Sequence, residues 1–216
     1  MPKQAGPAGG EQGRQLALAQ LRQAILRGEM APAQRLVENE LAEQFEVTRG
    51  SVRAALIELE SEGLVERIRN RGSRVRVVSV EEAVAITECR MALEGLCAAK
   101  AAVAASDEQL NRLTGVGEAM SRAVAGGEPM VYSELNHELH ALVREFSGQQ
   151  TAVSLLERLN GQLVRHRFQL ALRPGRPQQS LREHLAMIEA IRAREPQAAE
   201  AAVRSHLASV IDALRD

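Results

Sequence analysis

The sequence predicts a mainly α protein in two parts: an N-terminal winged helix-turn-helix, then a C-terminal antiparallel bundle of six helices. Three observations carry this. Apolar residues recur at three- and four-residue spacing along most of the chain. Period-two patterning is confined to two short runs between residues 64 and 78. Aromatics are only 2% of 216 residues while Ala and Leu abound, so the core is aliphatic and suits helices better than sheets. A hydrophobic share of 45% and a charged share of 25% exclude wholesale disorder.

Residues 1–13, rich in Gly, Pro and Gln, read as a flexible tail. A DNA-binding domain is expected over 14–78. Its first helix runs over 15–27, carrying Leu18, Leu21 and Ile25, and stops at Gly28. A second covers 38–45. After a tight turn at Glu46-Val47, Thr48 is a good N-cap for a third, which ends at Gly63. Residues 64–68 and 74–78 read as strands joined by a turn at 69–73. From 79 to 216 the strand signal is gone. Helices are expected over 80–105, 107–125, 128–147, 149–172, 180–193 and 196–214.

Net charge is −1, so the whole chain carries no nucleic-acid signal, and placement matters more. Residues 1–78 hold 12 Lys/Arg against 10 Asp/Glu. Arg67, Arg69, Arg71, Arg74 and Arg76 fall together with no acid after Glu66. In a helix-turn-helix the second helix enters the major groove N-terminus first. Here that helix begins Thr48-Arg49-Gly50-Ser51-Val52-Arg53. Arg49 and Arg53 share a face and can reach guanine, while Thr48 and Ser51 offer hydroxyls for phosphate. In the wing, Arg71 adds charge and Gly72 permits close backbone approach. The partner this implies is double-stranded operator DNA, met by a homodimer whose symmetry matches a near-palindromic site.

The runs Ile25-Leu26-Arg27-Gly28-Glu29-Met30, Glu40-Leu41-Ala42, Val47-Thr48-Arg49-Gly50-Ser51-Val52-Arg53-Ala54-Ala55-Leu56 and Leu59-Glu60-Ser61-Glu62-Gly63-Leu64-Val65 resemble the GntR family of transcription regulators. The resemblance implies that Arg35, Arg49, Arg53 and Gly72 meet DNA.

All five histidines lie in the second part. At ~100° per residue, Asn136 and His140 flank one apolar stripe, whereas His137 and Glu138 point outward. His184 falls within the stripe of Leu181, Ile188 and Ile191, and His206 lies beside that of Val203 and Leu207. Three neutral imidazoles and an amide oxygen suit a divalent Zn, Ni, Mn or Fe ion. Three histidines buried and satisfied in an ordinary core fit the same pattern. The segments Asn136-His137-Glu138-Leu139-His140, Glu183-His184-Leu185-Ala186-Met187-Ile188 and Ala202-Val203-Arg204-Ser205-His206-Leu207 look like the FCD effector domain of the FadR-type branch, and six helices resemble its VanR-like subgroup. That resemblance implies a metal held by Asn136, His140, His184 and His206, with Asn136 where Asp is more usual.

Arg90, in line with Leu93 and Cys97, and Arg167, in line with Asn160 and Leu163, are candidates to grip a small carboxylate effector beside the metal. Arg90 is equally placed to pair with Glu94, four residues on. The function expected is that of an effector-controlled regulator, and the resemblance implies a repressor. The competing readings are a regulator responding to metal alone, an inert dimerisation module, and a metal-dependent hydrolase. The last lacks an inward Asp or Glu clearly placed as general base. Cys89 and Cys97 are too far apart along one helix for a disulfide and read as buried free thiols. With no signal-like or membrane-length apolar run, the expected location is cytoplasmic.

Overall fold

The computed structural model describes residues 7–216, so the start of the expected tail, residues 1–6, lies outside the described residues. The chain forms two compact units, Met1–Val78 and Ser79–Asp216.

The first unit holds α1 (Gly10–Leu26), β1 (Arg35–Leu36), α2 (Glu38–Gln44), α3 (Arg49–Ser61), β2 (Val65–Ile68) and β3 (Gly72–Val75). Leu21, Val52, Ala55 and Leu59 are fully buried where α1 packs on α3. Thr48 caps α3, its Oγ1 accepting from Ser51 N at 3.2 Å. The wing is the antiparallel pair β2 and β3, registered Val65 to Val75, with the turn's Asn70 at φ 62° and Gly72 at φ 83°. A third strand that the sequence reading lacks, β1, pairs with β3 through Arg35 and Arg74. Two residues are too few to show a period.

The tail expectation needs correction at its end. The Ala8 backbone brackets the turn before α3, donating to Glu46 O and accepting from Thr48 N, both at 2.9 Å. α1 begins at Gly10, and Gly13 is buried in it. A Cβ on Gly13 would lie 2.3 Å from Ala8 O and 2.6 Å from Ser51 Oγ, so only glycine allows this approach. Gly and Pro content signalled flexibility where glycine serves packing.

The second unit holds α4 (Val80–Ala104), α5 (Asp107–Ala125), α6 (Pro129–Phe146), α7 (Gln150–Gln162), α8 (Val164–Ala171), α9 (Arg176–Arg192) and α10 (Pro196–Arg215). α10 lies along α4, and α5 packs on α6 and α9. Ser79 caps α4, and Ser106 forms a capping box with Gln109 on α5. The core between them is aliphatic, with Leu113, Met120, Leu139, Met187 and Ile191 fully buried. The stretch 149–172, expected as one helix, breaks at Leu163, so the described residues of this unit form seven helical segments instead of six. Gly161 weakens the helix there, and burial of Leu163 and Val164 fixes the change of direction. Cys97 is buried as expected, but Cys89 is exposed on the outer face of α4. Among the described residues no helix is long and apolar enough to cross a membrane.

Candidate functional site

In the first unit, α3 projects Arg49 and Arg53 into solvent on one face. Both reach Glu38 at the start of α2. Arg53 donates to its two oxygens at 3.0 and 2.7 Å, and Arg49 lies at 3.4 Å. The Arg53 guanidinium holds the Glu38 carboxyl below its usual range. Glu38 had no part in the sequence reading, because its partners lie 11 and 15 residues away. Arg35, Arg71 and Gly72 are exposed. Ser51 differs from expectation. It is buried against α1, with Oγ 2.9 Å from Thr48 Oγ1. It braces the cap and offers no hydroxyl outward, because its position on α3 faces the core.

In the second unit, His140 on α6, His184 on α9 and His206 on α10 converge. Their ligand-capable atoms all lie within 4.8 Å of one another. Each Nδ1 is already occupied. His140 Nδ1 donates to Glu94 Oε2 at 2.6 Å, and His206 Nδ1 to Glu183 Oε2 at 2.8 Å. His184 Nδ1 lies 3.0 Å from the Tyr132 hydroxyl and 3.3 Å from Ser180 Oγ. The Nε2 atoms are left to face inward, with those of His140 and His184 3.2 Å apart.

The electrostatics favour neutral imidazoles at His184 and His206 beside ionised carboxylates. Burial, and then the neighbouring His206, His140 and Arg176, push His184 well below its usual range. Burial takes His206 down to about 4 despite Glu183. For Glu183 burial pushes the other way, but hydrogen bonds from His206 and Ser209 bring it to about 2. Burial likewise opposes ionisation of Glu94, and the Arg90 charge and the contact with His140 overcome it. Burial raises the Tyr132 hydroxyl to about 12.

Asn136 sits one turn before His140, and its Oδ1 is buried with no hydrogen-bond partner. An orphaned carbonyl oxygen beside three inward imidazole nitrogens is a donor set that suits a borderline divalent cation. Each Nδ1 contact is the outer-sphere hydrogen bond that orients a metal-binding histidine.

The cluster opens into a cavity of about 120 Å³ that Arg90, Asn160 and Arg167 also line. Arg90 meets the structural expectation as well as the functional one. Its Nε and Nη2 donate to Glu94 Oε1 at 3.1 and 2.8 Å. Arg167 pairs with no carboxylate among the described residues. Its Nε is buried without a partner, and its Nη1 lies 3.5 Å from His137 Nδ1. His137 is exposed, as expected, yet it borders the cavity mouth.

Sequence reasoning missed Tyr132, Arg144, Arg176, Glu183 and the role of Glu94 toward His140. It expected no inward acid clearly placed as a general base, and the two inward acids are Glu94 and Glu183. Both are committed to histidine Nδ1 atoms and so are not free bases. One signal was present: Tyr132, Asn136, His140 and Arg144 follow one another at four-residue intervals, as do Ser180 and His184.

A winged helix with an arginine-bearing third helix, joined in one chain to a helical unit with a histidine-lined cavity, defines a class: DNA-binding regulators with an appended sensing domain. Comparison with known proteins places the chain within it. Residues 14–75 match the family described as bacterial regulatory proteins, gntR family, and residues 85–209 match the FCD domain. The chain belongs to the GntR family of transcription regulators, in the branch that carries an FCD domain, and is not an enzyme. It is similar to the HTH-type transcriptional repressor RspR of Escherichia coli, 28% identical over 90% of this chain and 86% of that one. It is also similar to the repressor NanR of Salmonella arizonae, 30% identical over 88% and 80%. Solved structures share the fold. McbR/YncC of E. coli has a TM-score of 0.77 at 19% identity, covering 94% of this chain and 97% of that one. A putative GntR regulator from a Rhodococcus species has 0.74 at 21%, covering 95% and 98%.

Proposed function

We propose that this protein is a repressor whose hold on operator DNA is set by a small carboxylate bound beside a divalent metal in the FCD domain. Arg49 and Arg53 enter the major groove and read bases, while Thr48 and the amides at the start of α3 meet phosphate. Arg35, Arg71 and Gly72 contact the flanking backbone, and Ser51 acts only by fixing Thr48. Glu38 holds both reading arginines in place and gives them up as they engage DNA. Two copies bind one operator, as near-palindromic sites require.

Asn136, His140, His184 and His206 hold the metal. When bound, Zn, Ni, Mn or Fe supplies an electrophilic anchor for an anionic ligand. Arg90, Asn160 and Arg167 orient that ligand from the cavity wall. Its differential affinity for two arrangements of the dimer is what changes operator affinity.

The observation that carries this reading is the unsatisfied Asn136 Oδ1 beside three Nε2 atoms whose Nδ1 partners are all in place. Metal analysis of the purified wild type against His184→Ala tests it. Stoichiometric metal in the first and its loss in the second is the expected result. Equal content in both would remove the assignment.

A further inference from the structure

We propose that the effector is a dianion, a small dicarboxylate, with Arg144 and Arg167 matched to its two charges. The inference rests on the carboxylate reading given above and narrows it.

Four guanidinium groups line the cavity: Arg90, Arg144, Arg167 and Arg176. Two of them have counter-ions. Arg90 lies 2.8 Å from Glu94, and Arg176 lies 3.3 Å from Glu183. Glu94 also serves His140 and attracts Arg144 from beyond ion-pair distance, and Glu183 also serves His206, so two carboxylates face four arginines. Arg144 and Arg167 form no ion pair with any carboxylate among the described residues. Arg144 is nonetheless 7% exposed, and Arg167 keeps a buried Nε without an acceptor. An unpaired buried cation is costly, and a divalent ion at the histidines adds to the excess. Asn136, being neutral, removes none of it. One carboxylate would answer one of the two free arginines. Two would answer both.

Placement agrees with the charge count. Arg167 reaches His137 on α6, and Arg144 lies seven residues further along the same helix, roughly 10 Å of axial rise. His140 falls between them, and Asn136 just before His137. The cavity therefore has a cationic group toward each end and polar atoms between. Its volume, about 120 Å³, limits the ligand. Short-chain dicarboxylates match this arrangement of charge.

Calorimetric titration of the full-length, zinc-loaded protein tests this. The probes are succinate, malate and fumarate, set against butyrate and monomethyl succinate. At least one diacid should bind tenfold or more tighter than either monoanion. Arg167→Gln, checked by thermal unfolding for an intact fold, should erase that preference. If a monoanion binds as tightly as the best diacid, the dianion inference is overturned and the carboxylate reading stands. If none of the five binds, both fail. The wild-type comparison decides the matter even if the variant does not fold.

Discussion

A histidine gripped at Nδ1 by a carboxylate has its tautomer, its ring direction and its basicity set together. Glu94 does this for His140 and Glu183 for His206, which makes the two acids positioning residues for the cluster. Glu94→Gln keeps the shape but loses the charge, and Gln can present an amide donor to Nδ1. Metal affinity, measured by competition with a chelator, should fall about 10–100-fold while helical content is unchanged. An unaltered affinity would mean that the contact is structural only. The cluster also makes stability depend on pH. His206 stays neutral in the folded protein down to about 4, against 6.5 for an unperturbed histidine. Between those values the unfolded chain binds more protons than the folded one, so its stabilisation is complete above 6.5 and drains away as pH falls toward 4. Burial of His184 acts in the same direction. Urea midpoints of the chelator-treated protein should therefore drop between pH 7.5 and pH 5, and a flat profile would contradict neutral burial.

Among the elements, α1 and α3 show how close packing fixes a functional helix. Gly13 lets α1 approach Ala8 O and Ser51, and Ser51 in turn holds Thr48, the cap of α3. The angle at which Arg49 and Arg53 leave the surface thus depends on a glycine 36 residues before the first of them. Gly13→Ala places a methyl group against backbone that cannot yield as a side chain can. A loss of roughly 1–3 kcal/mol in the winged unit is expected, read as a lowered melting temperature. A variant as stable as the wild type would show that Ala8 can move aside. In the bundle, the break at Leu163 separates α7 from α8 and brings Asn160 and Arg167, on either side of it, to one cavity.

At the scale of the whole molecule, two compact units, each with its own hydrophobic core, divide the labour between DNA and effector. Damage to one site should leave the other intact. Arg49→Ala should cost ~1–3 kcal/mol of operator binding while metal content stays at the wild-type level. Binding shifts measured at two salt concentrations, beside metal analysis, check both halves. Full operator affinity in the variant would mean that α3 lies differently in the groove. The same separation explains why a near-neutral chain can bind DNA: local placement of arginines matters, and net charge does not.

The sequence by itself determined the elements and their chemistry. Helical spacing, the Thr48 cap and the period-two wing are local properties, and local geometry is what a linear pattern records. That His140, His184 and His206 face inward was legible for the same reason, since each was judged against its own helix. Only the tertiary structure decided what those side chains meet. Glu183 finds His206 from 23 residues away and Tyr132 finds His184 from 52, because helices distant in sequence pack side by side. It also turned Ser51 inward, drew Ala8 to the turn before α3, and broke the helix at Leu163. Each of these depends on which surface lies opposite, and no window along the chain contains that information.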